Sequence, residues 1–224
     1  MIVKNDFIQK YLDGVPLDTP SKILAAALEE FGSAPVKNVG TRDIAKRAGV
    51  NIAAISYYFK GKDDLYFELI EAIIVHLSKL TSEFDKRFEV LKKNPSEVEA
   101  RLLLRDYISW RLLGIDEDKK HVFKNILSII FREEFNNTEL FKQFHSRIFG
   151  KTDELFRESI KMILKDKVDD ETARIMSTAI LGSLIRFGAV PNSVMLSMNW
   201  QEISSVEIEK IRHVIFSMLD KVLK

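Results

Sequence analysis

The chain has 224 residues, 46% of them hydrophobic and 30% charged, with a net charge of +1 and no cysteine. That apolar share over that length excludes a disordered chain and allows one large core or a small domain joined to a larger one, while the lack of cysteine excludes disulfide frameworks, thiolate zinc sites and cysteine nucleophiles. No apolar run approaches the roughly 18 residues that span a bilayer, and the first residues hold no uninterrupted apolar signal core, so the expectation is a cytoplasmic protein without membrane contact.

Apolar residues recur at helical spacing along nearly the whole chain and no stretch sustains a two-residue alternation, so the fold class is all-α, about nine helices. Residues 1–18 carry Gly14 and Pro16 and no strong pattern, and read as an N-terminal arm or a short helical turn. The first firm helix opens with Thr19 as N-cap and Pro20 at the first position, where a missing N–H costs nothing, and Gly32 marks its exit. Its inner face is Ile23, Leu24, Ala27, Leu28 and Phe31. A short helix over 41–48 stops at Gly49, and another opens with Asn51 as N-cap, runs through Phe59 and stops near Gly61. A long helix starts at Lys62-Asp63-Asp64, where two acids suit the positive end of a helix, and breaks at Asn94-Pro95-Ser96. Further helices are expected over 96–113, ended by Gly114, then from Asp118 to Phe135, then over 138–165 with an irregularity around Gly150. The last two cover 169–187 and 204–223, separated by a loop with Gly188 and Pro191, with Ser204 and Glu207 as a capping box.

Two short helices joined through Gly49 make a helix-turn-helix candidate. Reading a major groove requires a second helix with one anchored face and one bare face of small or polar side chains. Ile44, Ala45, Val50, Ile55 and Tyr58 can be buried, which leaves Asn51, Ile52, Ala53, Ser56 and Tyr57 outward. Arg42, Lys46, Arg47, Lys60 and Lys62 against Asp43 give residues 41–62 a charge of +4, and the remainder sums to −3. An ordinary helical hairpin with a solvated basic face has the same spacing and charge.

Residues 19–73 resemble the DNA-binding domain of the TetR family, on Thr41-Arg42-Asp43-Ile44-Ala45, Ala48-Gly49-Val50, Tyr58-Phe59 and Lys62-Asp63-Asp64-Leu65. The run from Gly49 to Phe59, with Gly61-Lys62 and Leu65-Tyr66, is similar to the CecR-like subgroup. The resemblance implies three parts: an arm at 1–18, a DNA-binding domain at 19–66, and an effector-binding and dimerisation domain at 67–224. It implies that Thr41, Arg42 and Lys62 approach phosphates of double-stranded DNA and that Asn51, Ile52, Ala53, Ser56 and Tyr57 face the groove. Many members carry tyrosine at the position of Ser56 and histidine at that of Tyr57, so a phosphate contact made by that tyrosine passes here to Tyr57 or is lost. Ile52 and two alanines offer little hydrogen bonding to bases, so thymine methyl contacts and shape readout are expected.

The resemblance also implies a small-molecule effector and a homodimer on a palindromic operator. Aromatics are dense between Phe131 and Phe156, and most of them read as plain core. Polar groups among apolar neighbours are better candidates for reading a ligand, and Trp110, Arg111, His121, Arg132, His145 and Arg186, with Phe131 from the aromatic set, point to an aromatic or anionic compound. Each also reads as an exposed or hydrogen-bonded surface residue. Dimerisation is assigned to the last two helices through Ala173, Met176, Ile180, Leu184 and Phe187 with Ile208, Ile211, Ile215, Met218 and Val222, with burial of these stripes inside the monomer as the alternative. The competing classes are a helical-bundle enzyme and an adaptor that does not bind DNA. No P-loop, nucleophile elbow or zinc-protease motif is present and the four histidines lack metal-ligand spacing, so no catalytic residue, metal or cofactor is expected.

Overall fold

A computed structural model describes residues 6–113 and 119–224, apart from the side chain of Asp166, and every element in it is helical. The expected positions of Gly114 and Asp118 at helix ends lie outside the described residues. The chain forms two compact units, Met1–Leu80 with Ile115–Ile148, and Thr81–Gly114 with Phe149–Lys224. Compactness thus divides the chain differently from the functional boundary expected after residue 66.

In the first unit the helices are α1 (Phe7–Leu12), α2 (Thr19–Ser33), α3 (Thr41–Ala48), α4 (Ile52–Phe59), residues 62–80 of α5 (Lys62–Lys93), α7 (Lys120–Phe135) and α8 (Glu139–Phe144). Of the two readings of residues 1–18, a short helical segment is the one seen at α1, because Asp6 caps Gln9 N at 3.1 Å and Phe7 and Ile8 are buried. Burial pushes the Asp6 carboxyl up, but the Gln9 N–H, His76 and Lys79 outweigh it and hold it below the usual range. The cap of α2 is Asp18, not Thr19: its carboxylate accepts from Ser21 N at 3.0 Å, and a negative acceptor suits the helix dipole better than a hydroxyl. Ile23, Leu24, Ala27, Leu28 and Phe31 are all buried as expected. Gly32 lies inside α2 and does not end it. A Cβ there would sit 2.4 Å from Asn125 Cβ, so glycine is what lets α2 and α7 approach.

The second unit holds residues 81–93 of α5, α6 (Glu97–Leu112), α9 (Gly150–Leu164), α10 (Asp170–Gly188), α11 (Asn192–Met198) and α12 (Ser205–Val222). The irregularity expected near Gly150 is a π-helical stretch at His145–Phe149, and the loop expected after Gly188 contains α11. Ser204 caps Val206 N at 3.2 Å and its hydroxyl donates to the Glu207 carboxylate. The core joins Phe84, Leu103, Leu104, Tyr107, Ile108, Phe156, Ile160, Leu184, Ile211 and Ile215. This corrects the expected dimer stripe. Ala173, Leu184, Ile211 and Ile215 are buried inside the unit, and Met176, Ile180, Phe187 and Ile208 pack against that core, while Met218 and Val222 alone of the ten stay exposed. The most regular apolar stripe is the one an isolated helix bundle takes for itself. A second apolar set remains outside: Ile175 and Ile185 on α10, and Val206, Val214, Met218 and Val222 on α12.

Candidate nucleic-acid interface

Local chemistry sets the turn between α3 and α4. Gly49 adopts φ +67°, ψ +34°, where a side chain would be strained, and its N–H and that of Val50 close onto Lys46 O at 3.2 Å and Ala45 O at 3.0 Å. Asn51 then caps α4 by accepting from Ala53 N at 2.9 Å. Ile44, Ala45, Ile55 and Phe59 turn inward; Ile55 is 1% exposed and Phe59 2%. Val50 and Tyr58 are half-buried rather than fully so.

The opposite face of α4 is bare. Asn51, Ile52, Ala53, Ser56 and Tyr57 are all exposed, with Tyr57 at 80% and its ring edge-on to Tyr58 at 4.8 Å. α3 starts at Gly40 without a side-chain cap, and Thr41 is half-buried while Arg42 is exposed at that positive end. Lys46 and Lys60 are exposed, whereas Arg47 is drawn back to Glu30, 2.5 Å from its Nε, which raises the guanidinium pKa. Lys62 is half-buried at the start of α5. Its Nζ donates to Val36 O at 2.9 Å and Val39 O at 3.1 Å, so the ammonium is engaged by the main chain leading into α3.

The seven residues expected to read an effector fall into both units. Trp110 lies in the second, its ring 5.2 Å from Phe84 and 5.4 Å from Tyr107, and Tyr107 meets Phe156 at 5.2 Å. Arg111 neighbours Gly188 and acts electrostatically on Tyr107, whose hydroxyl lies 3.3 Å from Thr152 Oγ1. Burial raises the Tyr107 phenol above its ordinary value and likewise raises Asp85. Arg186 is exposed in the same unit. His121, Phe131, Arg132 and His145 belong to the first unit. His121 is exposed, 3.6 Å from Glu29; Phe131 is half-buried; Arg132 donates to Phe31 O at 2.7 Å, closing the end of α2; His145 is exposed.

Two polar sites escaped sequence reading. Tyr66 O–H donates to Glu133 Oε1 at 2.6 Å and Thr138 Oγ1 to Glu133 Oε2 at 2.6 Å, so a buried carboxylate joins α5 to the α7–α8 turn. His76 Nδ1 lies 3.1 Å from Asp6 Oδ1 with its ring buried and Nε2 unpartnered. An acid and a histidine placed on otherwise apolar helix faces were the available signals. Among the described residues no three His, Cys, Asp or Glu side chains gather as a metal site requires, and no single helix is long and apolar enough to cross a membrane.

A glycine-turned pair of short helices, whose second member buries one face and bares the other beside cationic side chains, defines a helix-turn-helix DNA-binding regulator. The chain belongs to the TetR family of bacterial regulators, in its CecR-like group: residues 23–69 match the description "Bacterial regulatory proteins, tetR family" and residues 112–224 match "HTH-type transcriptional dual regulator CecR, C-terminal domain". It is 25% identical over 206 residues to the HTH-type transcriptional dual regulator CecR of Shigella flexneri, covering 91% of this chain and 90% of that protein. The fold is similar to that of a transcriptional regulator structure from Pseudomonas aeruginosa PAO1, with TM-score 0.62, 15% identity, and 91% and 89% of the two chains covered. It is also similar to the fatty acid degradation regulator FadR of Bacillus halodurans, with TM-score 0.58, 17% identity, and 89% and 95% covered.

Proposed function

We propose that this regulator is a repressor that binds a palindromic operator as a homodimer and leaves it when a small molecule binds. The observation that carries this reading is the outward set Asn51, Ile52, Ala53, Ser56 and Tyr57 on a helix anchored on its other face by the buried Ile55 and Phe59. Thr41 and Arg42 present a helix start to one phosphate, and Tyr57 reaches the backbone or a thymine methyl. A two-fold dimer, which the outer apolar residues of α10 and α12 could form, would read a palindromic operator whose half-sites lie about 34 Å or a multiple of it apart on B-DNA. Such a protein works where the chromosome is, in the cytoplasm.

For the effector, Trp110 and Arg111 are the expected residues we retain, because they stand with Phe84, Tyr107 and Phe156 in one aromatic cluster that an arginine borders. An aromatic or anionic compound matches that chemistry. A gel shift on the duplex upstream of the protein's own gene tests the DNA half: binding at low salt that fades as salt rises supports it, and no binding at low salt refutes it. Thermal-shift screening of aromatic and anionic compounds tests the other half, since a ligand of the native state raises the melting temperature.

A further inference from the structure

We propose that α1 is a proton-released latch on the first unit, a device that goes beyond the DNA-binding reading and does not depend on it. When the buried His76 ring takes up a second proton, its seat against Asp6 is lost and α1 lifts from α2, α5 and α7. α1 has six residues, too few to hold a helix alone, so its order comes from what it touches. Phe7 and Ile8 are buried. Tyr11 O–H donates to Glu29 of α2 at 3.1 Å, and its ring stands edge-on to His121 of α7 at 6.4 Å. Asp13 lies 4.0 Å from Lys119, just before α7. The other fastening is Asp6, whose carboxylate caps Gln9 N and meets His76 Nδ1 at 3.1 Å and Lys79 Nζ at 3.4 Å, both on α5.

Among these fastenings the imidazole at Asp6 is the one that changes charge while enclosed in protein. A carboxylate only accepts hydrogen bonds, so the neutral ring carries its proton on Nδ1 and leaves Nε2 bare. Nε2 is buried without a partner, and the neighbour from α7 is the Phe123 ring, 6.1 Å away. A proton arriving at Nε2 therefore makes a donor with no acceptor, on a cation shut off from water. The charged groups bordering the ring are Asp6 and Lys10 of α1 and Lys79 of α5. Burial works hardest against the imidazolium and Lys79 adds to it, while the Asp6 charge and hydrogen bond favour it without prevailing. Asp6 is itself held below the usual carboxylate range, so it stays ionised while His76 titrates. His121, 3.6 Å from Glu29, acts with the opposite sign, because its protonation adds an ion pair beside Tyr11. With α1 seated the His76 pKa lies below 6.5, and with α1 lifted the ring returns towards that ordinary value. Seating is therefore strongest above pH 6.5 and weakens as pH falls below it, until the lower seated value is passed.

Hydrogen exchange of the backbone amides of residues 9–15 in wild type and His76→Gln, from about pH 7.5 to about pH 5 and corrected for intrinsic exchange rates, tests the latch. The amides of the buried Ile126 and Ile130 in α7 report global unfolding. Wild-type protection of residues 9–15 should fall about tenfold across that range, the effect of one proton over one pH unit, while Ile126 and Ile130 keep theirs. His76→Gln keeps a side chain that donates to Asp6 and does not titrate, so its protection should stay level. Level protection in the wild type, an equal fall in His76→Gln, or a fall shared with Ile126 and Ile130 each overturns the proposal. If His76→Gln does not fold, the ring titration of wild-type His76 by NMR decides. A midpoint that coincides with the loss of protection supports the latch, and a ring that titrates while protection stays level refutes it.

Discussion

Gly32→Ala places a methyl group where α2 meets α7. The new Cβ would lie 2.4 Å from Asn125 Cβ, 2.5 Å from its Cγ and 2.6 Å from its Oδ1, far inside contact distance and against the root of the side chain, so a rotamer change of Asn125 cannot relieve it. Overpacking of this kind costs about 1–3 kcal/mol. Asn125 Nδ2 also donates to Glu29 Oε2 at 2.8 Å, and displacing it loses about 1.5 kcal/mol more. Against this stands the helix preference for alanine over glycine, about 1 kcal/mol. The sum is a loss of about 2 kcal/mol, which lowers the urea midpoint by roughly 1 M at fixed protein concentration. A midpoint that stays level or rises would refute the close approach, because propensity alone would then govern the site.

Tyr66→Phe leaves the buried Glu133 carboxylate with Thr138 as its remaining hydroxyl donor, and should cost about 1–3 kcal/mol in urea unfolding. Burial holds the His76 imidazole below its ordinary 6.5, with the Asp6 carboxylate opposing. As pH falls through 6.5 the unfolded chain therefore takes up a proton that the folded chain refuses, so stability should decline with falling pH in that window until the lower folded value is passed. His76→Gln should flatten the decline, and an equally steep curve in the variant would assign it to other groups. Met218→Asp puts a charge on the outer apolar stripe of α12 and should convert the proposed dimer to monomer in sedimentation, with an unchanged far-UV spectrum.

Much of the interface was legible in the sequence because its determinants are local. Gly49 at a left-handed turn, Asn51 as a cap, and the alternation of Ile55 and Phe59 with Ser56 and Tyr57 are set by backbone sterics and a 3.6-residue period, which need no distant partner. Helix ends decided by competition between neighbours were less legible: Asp18 takes the cap expected of Thr19 because charge adds to hydrogen bonding at a helix start. Where two helices each offer more than one apolar stripe, periodicity does not tell core from outer surface. Ile211 and Ile215 fit a dimer face by spacing, yet they are buried in the second unit.

The sequence by itself determined an all-helical chain, the helix-turn-helix and its outward residues, because short-range geometry settles each of these. Only the tertiary structure decided that Lys62 Nζ turns to Val36 O and Val39 O, that Gly32 is a crossing point under Asn125, and that Glu133 is shared by Tyr66 and Thr138. These contacts join residues 23 to 93 positions apart, except for Thr138 beside Glu133. Their geometry is fixed by how packed helices meet, and no spacing along the chain encodes it.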